Sequence, residues 1–308
     1  MIYVIINAYG EPKSTERAIN CFLKQNIKDI KIIVVDPFPE VREYIKGRFK
    51  GNKHIGFFLD PGEGKNYSIN LILNNLYSND TNDIIIFTDG DVYVDNNSVN
   101  EILKLFKDPK IGCVSGRPVS INNKNNFFGY ISHFLCDIAA HEISRKKKVK
   151  KEEFLEASGY LFAIRNGIIK RIPLDIAEDS IIPYLFWKKG YKIGYAENAL
   201  VYVKWPDNLN DWLKQKKRTA NSHSKLKNYA PDFPKVKSFY NEIFEGIFSF
   251  KEVWSYPENL KEFFYTIMLY PLRLYMWVSL YKDLITRKRE YKDGWREDLE
   301  VESTKTLD

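Results

Sequence analysis

The stretch Asp83–Asp95, "DIIIFTDGDVYVD", decides the fold. Four large apolar residues, Ile84 to Phe87, run without alternation into carboxylates at Asp89, Asp91 and Asp95. An unbroken run of that kind reads as a buried strand bounded by polar residues. Residues i and i+2 of an extended chain point the same way, so Asp89 and Asp91 can offer two carboxylates to one ion, with Gly90 allowing close backbone approach. Oxygen donors so arranged suit Mg²⁺ or Mn²⁺, which commonly bridge to substrate phosphates. Asp95 reads as a turn or helix-start residue. A strand end that has simply reached solvent would look the same locally, so the rest of the chain must supply the weight.

Working outward, the runs Tyr3–Ile6, Ile32–Val35, Ile55–Leu59 and Ile111–Val114 are also β-rich. Helical spacing lies between them: Ala18, Phe22 and Gln25 after "PKST", then Ile69–Leu76 and Val99–Phe106. This alternation predicts an α/β domain with a parallel, helix-covered sheet, in which ligands bind beyond the carboxyl ends of the strands. The acids after Phe87 stand at that edge. From Asn125 to Lys151 the pattern is helical and ends in "RKKKVKK", a solvated helix end or an anion-steering patch. Strand-like runs follow at Tyr160–Ile164 and Leu200–Val203, with a helix over Asp179–Lys188. A soft boundary near Pro231–Pro234 divides the α/β domain, 1–234, from an aromatic helical region, 235–308, that closes on a polar tail.

Hydrophobic residues at 44% and charged residues at 28% are ordinary for a folded soluble protein and exclude disorder as the default. A formal charge of +7 and a pI near 9.0 favour phosphate-bearing partners, leaving nucleotides, nucleic acid and anionic membranes open. Cys21, Cys113 and Cys136 fit neither a disulfide framework nor a metal-binding spacing, which suggests a reducing cytosol. The opening "MIYVIINAYG" reads as a first strand rather than a signal peptide.

Glu178 and Asp179 precede a helical run in "IAEDSIIPYLFWKKGY". Acids there cap the free N–H groups of a helix, and one of them could equally act as a general base. Gln215, Lys216, Lys217 and Arg218 sit together in "WLKQKKRTANSH", either as a solvated helix face or with Arg218 facing a leaving phosphate. "DPGEGKNYSIN" fails as a phosphate loop, because Leu59 stands where the first glycine belongs and Asn66 where Ser or Thr belongs. No Ser-His-Asp or Cys-His arrangement is legible among four histidines. His223, after the basic segment, is either a late metal ligand or a surface side chain.

Taken in order, "NAYGEP", "VVD", "GKNYSIN", "TDGDVYVD", "SGR", "EASGYLFAIR", "AEDS" and "QKKRT" resemble the inverting family 2 glycosyltransferases over residues 1–224. The resemblance implies a GT-A fold: a Rossmann-like mixed, mostly parallel sheet flanked by helices, here with a C-terminal helical extension. It implies that Tyr9, Glu11 and Asp36 contact the base and ribose of a nucleotide-diphospho-sugar donor, with Lys65 and Asn70 beside the nucleotide. Asp89 and Asp91 would bind the metal and diphosphate, Asp91 as direct ligand. Asp179, paired with Glu178, would be the catalytic base, and Gln215 and Arg218 match Gln-x-x-Arg-Trp. Thr219 replaces the tryptophan of that motif, which weakens a processive-synthase reading, and "VVDPFPE" departs from the family after its strand, which leaves base selectivity open. The expected partners are a UDP-sugar, or second a GDP-sugar, and a glycan or lipid-linked acceptor. A polyprenyl-phosphate sugar transferase of the same fold, a non-catalytic sugar-nucleotide binder, a nucleotidyltransferase and a nucleic-acid binder are the rivals; the second is disfavoured by the intact acids and the last by the lack of a binding motif.

"KEFFYTIMLYPLRLYMWVSLYKDLITRKR" is the most apolar segment, and Phe263–Tyr281 is nearly the about 20 residues a membrane span takes. Arg273 near its middle and tyrosines scattered along it argue against spanning. Lys282, Arg287, Lys288 and Arg289 suit anionic head groups. Surface-lying helices, a helix packed on the domain and a true span all remain open, and the first predicts a cytoplasmic protein peripheral to the inner face of the cell membrane.

Overall fold

The structure, a computed structural model, describes residues 1–231, 238–287 and 301–305. The first elements alternate: β1 (Ile2–Asn7), α1 (Pro12–Leu23), β2 (Ile30–Asp36), α2 (Pro39–Arg48), β3 (Ile55–Leu59), α3 (Lys65–Leu76) and β4 (Ile84–Asp89). Next come β5 (Tyr93–Val94), α4 (Ser98–Leu105), β6 (Ile111–Ser120), α5 (Phe127–Phe134), a π-helix (Leu135–Lys146) and α6 (Lys147–Lys150). The domain continues through β7 (Leu161–Arg165), α7 (Glu178–Lys188), β8 (Lys192–Val203), α8 (Leu209–Ser224) and α9 (Leu226–Tyr229). Helices α10 (Phe239–Phe248), α11 (Phe250–Ser255) and α12 (Leu260–Arg287) complete it, with a short 3₁₀ turn at Glu302–Thr304.

The strands form one sheet in the order β3-β2-β1-β4-β7-β6-β8-β5. Parallel pairing among β3, β2, β1 and β4 gathers their carboxyl ends on one edge, with Asn7 opposite Asp89. Strand β7 runs antiparallel to β4, and Leu161 at its start faces Thr88. The segment entering β7 therefore arrives beside the acids that leave β4.

Apolar side chains cover both faces of the sheet. Ile5, Val35 and Phe87 pack with Ile69 of α3 and Ile181 of α7, while Val4, Ile6 and Val34 pack with Ala18 of α1 and Val41 of α2. The unbroken apolar run of β4 follows from this, since successive side chains enter opposite cores. Glycine is required at position 90, where an added Cβ would lie 2.8 Å from the Ala8 Cβ.

Every run read as a strand lies in or against one, and the helix expected from Asp179 begins one residue earlier. The pattern did not disclose α2 or the first half of β8, where Glu197 and Asn198 are exposed beside a register shift against β6. The segment expected as one helix over 125–151 is divided among α5, the π-helix and α6. Residues 232–234 of the expected boundary, the basic Lys288 and Arg289, and most of the polar tail lie outside the described residues.

Helices α10–α12 share a core with the domain: Tyr130 and Phe134 of α5 and Trp212 of α8 pack with Leu269, Met276 and Trp277 of α12. The Tyr130 hydroxyl lies 2.7 Å from Thr266 Oγ1, and Lys217 Nζ lies 2.6 Å from Asp283 Oδ2. Arg273, the charge that argues against spanning, is paired with Glu242 of α10. Among the described residues no helix is long and apolar enough to cross a membrane.

Candidate active site

The sheet edge brings Asp89 and Glu178 to a common partner. Lys65 opens α3 directly after Gly64, whose φ of +106° favours glycine. Its Nζ donates to Asp89 Oδ1 at 2.7 Å and sits 2.5 Å from Glu178 Oε1. Burial opposes the lysine's charge, but the two carboxylates outweigh it and hold its pKa well above the ordinary value. Burial would raise Glu178, yet Lys65 brings it below the usual range. Asp89 is pushed up to about 6 by burial, with Asp91 and Glu178 adding to that and Lys65 opposing it. Arg17 of α1 holds the other acid by its backbone, donating to the Asp91 carbonyl at 3.1 Å while stacking on Tyr93.

Asp179 stands one residue along α7. No side chain caps this helix, so both acids lie in its first turn, where the helix dipole favours negative charge. Gly159 N donates to Asp179 Oδ2 at 3.2 Å, and a Cβ on Gly159 would crowd that oxygen at 3.1 Å. His223, at the end of α8, places Nε2 3.4 Å from Asp179 Oδ1 and Nδ1 3.1 Å from Glu156 Oε2. Ser180 Oγ donates to the other oxygen of Glu156 at 2.6 Å. Burial, Glu178 and Glu156 raise the Asp179 pKa, against the opposing effect of His223. His223, expected either as a late metal ligand or as a surface side chain, is buried and not at the surface, and it lies between two carboxylates on the α7 side. Among the described residues no group of three His, Cys, Asp or Glu side chains is gathered as a metal cage.

Tyr160 joins α8 to the acids. Its hydroxyl lies 3.5 Å from Gln215 Nε2, and burial with Asp91 and Asp89 pushes its pKa far up while Arg218 opposes the shift. Gln215 is buried, and its Oε1 has no hydrogen bond among the described residues.

The nucleotide-side expectations divide. Asp36 is fully buried and accepts from Gly10 N at 2.9 Å and Phe38 N at 2.8 Å, tying the first loop to the end of β2. Burial pushes its pKa up to about 6 against those two donors, helped by Asp60 and Glu40. Tyr9 packs edge-on to Phe38, and Glu11 is buried where α1 begins. Asn70 is buried, and its amide donates to the Ile172 carbonyl at 2.9 Å and accepts from Ile172 N at 2.7 Å. Both ends of that side chain brace the loop before α7.

Glu156, Gly159 and Tyr160 were missed as site residues although "EASGYLFAIR" contains them. Their signal, a polar segment entering a strand, acquires meaning only when that strand is antiparallel to β4.

The family model for glycosyl transferase family 2 matches residues 3–172. The chain belongs to this family. Poly-beta-1,6-N-acetyl-D-glucosamine synthases of Staphylococcus aureus, strains COL and N315 among them, are 25% identical over 264 residues, covering 83% of this chain. The chain spans 62% of the length of these relatives. The mannosyltransferase PcManGT from Pyrobaculum calidifontis, in complex with GDP-Man and Mn²⁺, aligns with a TM-score of 0.61 at 13% identity, covering 94% of this chain and 88% of its own. S. aureus TarS in complex with UDP-GlcNAc aligns with a TM-score of 0.50 at 13% identity, covering 94% and 93%. The family 2 chain thus has the GT-A architecture, a mixed sheet flanked by helices with a C-terminal helical region.

Proposed function

We propose that this family 2 chain is an inverting glycosyltransferase that moves a sugar from a nucleotide-diphosphate donor, a UDP-sugar first and a GDP-sugar second, to a hydroxyl of a glycan or lipid-linked acceptor. The observation that carries the reading is the linkage of Asp89 to Glu178 through Lys65, with Asp91 and Asp179 adjoining on either side. The name of the Staphylococcus aureus relatives supports an N-acetylglucosaminyl donor.

Asp179 is the general base, and a carboxyl held above its ordinary pKa suits that task. It takes the proton of the acceptor hydroxyl as that oxygen bonds to the anomeric carbon from the face opposite the leaving group. The carbon–oxygen bond to the diphosphate breaks, and its electron pair leaves with the diphosphate. Arg218 and Lys65 offset the charge that develops there. The donor set fits a divalent ion: both acids offer hard oxygens, and Asp89 already accepts a cation in the Lys65 ammonium. Asp91 and Asp89 would hold Mg²⁺ or Mn²⁺, whose chemistry is to neutralise the departing diphosphate.

Calorimetry with UDP, GDP and dTDP in the presence of Mn²⁺, followed by a mass-spectrometric screen for donor hydrolysis, tests the donor class. Asp179→Asn should lower transfer to a hydroxyl acceptor by about 10²- to 10⁴-fold while nucleotide affinity is kept. Full turnover would sink the base assignment, and a mild defect would point to an acceptor that is already ionised, such as a lipid phosphate.

A further inference from the structure

Helix α12 is apolar on both faces, and the domain covers only one. Leu269, Met276, Trp277 and Leu280 are buried against α5 and α8. On the outer side Phe264, Met268, Leu274, Tyr275, Val278 and Ile285 are each more than half exposed, where a water-facing helix carries polar residues. The surface continues beyond α12. Trp254 of α11 packs on Phe263 and Tyr270 and is itself in contact with Phe250, while Phe244 and Phe248 stack on α10. Phe248 is 81% exposed and Phe250 64%. Exposed apolar side chains gathered on these three helices mark a contact site rather than ordinary surface scatter.

Charge on this region selects the occupant. Each acid whose side chain is described between 238 and 287 is engaged by a cation of the chain itself: Glu242 by Arg273, Glu252 by Lys147, Glu258 and Glu262 by Lys124, and Asp283 by Lys217. Lys251, Lys261 and Lys282 are exposed and form no salt bridge among the described residues, Lys261 donating to the Asn125 carbonyl at 2.8 Å. The region therefore presents aromatic and aliphatic side chains accompanied by uncompensated positive charge. That combination fits the boundary between head groups and acyl chains of an anionic bilayer, where tyrosine and tryptophan are favoured and lysines reach the phosphates.

We propose that α10–α12 dock this protein on the surface of an anionic lipid bilayer, with α12 lying in the interface and not crossing it. Helix α8, held to α12 by Lys217 through Asp283 and Ser279, also carries Gln215, Arg218 and His223. Docking holds those side chains close to the lipid surface, which suits an acceptor presented from the membrane. The docking itself does not depend on the catalytic reading.

Co-sedimentation of the full chain with phosphatidylcholine vesicles, with and without phosphatidylglycerol, tests the proposal. Binding is expected to the anionic vesicles and to weaken with salt. Combined Phe264→Ser, Tyr275→Ser and Val278→Ser should reduce partitioning by at least roughly tenfold, as expected for loss of buried apolar side chains. Combined Lys251→Glu, Lys261→Glu and Lys282→Glu should remove the preference for phosphatidylglycerol. Because all six side chains are exposed, circular dichroism should match the unsubstituted protein, with the melting temperature lowered only slightly by loss of the Lys261 hydrogen bond to Asn125. Absence of vesicle binding, or binding unchanged in the serine variant, overturns the proposal. So does a dimer in sedimentation velocity that the same serines dissolve, which would assign the face to a second copy. Vesicle binding without sugar transfer leaves docking intact and removes the proposed function, whereas transfer without vesicle binding does the reverse.

Discussion

His223 Nε2 lies 3.4 Å from Asp179 Oδ1, while the opposite ring nitrogen lies 3.1 Å from Glu156. The imidazole thus joins the proposed base to a second carboxylate that Ser180 holds in place. His223 favours the ionised form of Asp179, so its removal should raise the carboxyl's pKa further. His223→Gln is expected to move the acidic limb of the kcat pH profile upward and to lower kcat by about tenfold or more, with little change in donor KM. An unmoved pH profile would leave His223 with a packing role alone.

Lys65 occupies the carboxylate cluster as an internal cation. Without it Asp89 and Glu178 face each other across the gap with no ammonium between them. Lys65→Met should strengthen binding of Mn²⁺ alone by about tenfold, one pKa-unit equivalent of charge interaction, while weakening nucleotide diphosphate binding. Electron paramagnetic resonance of free Mn²⁺ reads the first effect and calorimetry the second. Unchanged metal affinity would show that the ammonium does not compete for Asp89.

Gly90 separates the two acids where the chain leaving β4 passes Ala8, just beyond β1. A methyl at 2.8 Å from Ala8 Cβ forces backbone adjustment, so Gly90→Ala should cost about 1–3 kcal/mol. Gly47 in α2 meets nothing within 4 Å, and Gly47→Ala should instead stabilise by about 0.4–1 kcal/mol. Chemical denaturation of the two variants gives opposite signs on this account, and equal shifts would refute it.

Asp36 is buried with a pKa raised to about 6, so the native state holds this proton more tightly than the unfolded chain does. For a raised carboxyl, the stability contribution is full below the unfolded pKa near 4 and is lost as pH rises through about 6. Relative to Asp36→Asn, which does not titrate, the unsubstituted protein should lose up to about 3 kcal/mol between pH 4 and pH 7. Urea melts of both proteins across that window measure the difference. A difference independent of pH would place the Asp36 pKa at its ordinary value.

The sequence by itself determined the alternating α/β core, the apolar run of β4 and the acids beyond it, because strand and helix periods are local and each follows from burying one face or both. It also brought Glu178 and Asp179 to a helix start and showed an aromatic segment too apolar for an ordinary surface. Which of these residues meet is set by the packing of the chain. Asn70, expected beside the nucleotide, hydrogen-bonds the Ile172 backbone through both ends of its side chain, while His223, open in the sequence as a metal ligand or a surface residue, is buried between Asp179 and Glu156. Glu156 and Tyr160 gained their places from the antiparallel entry of β7 beside β4. Likewise, α12 has one covered face and one open face because α5 and α8 offer a single apolar seat. Such pairings depend on strand order and on how helices pack across the sheet, and residues distant in the chain carry no local period that records them.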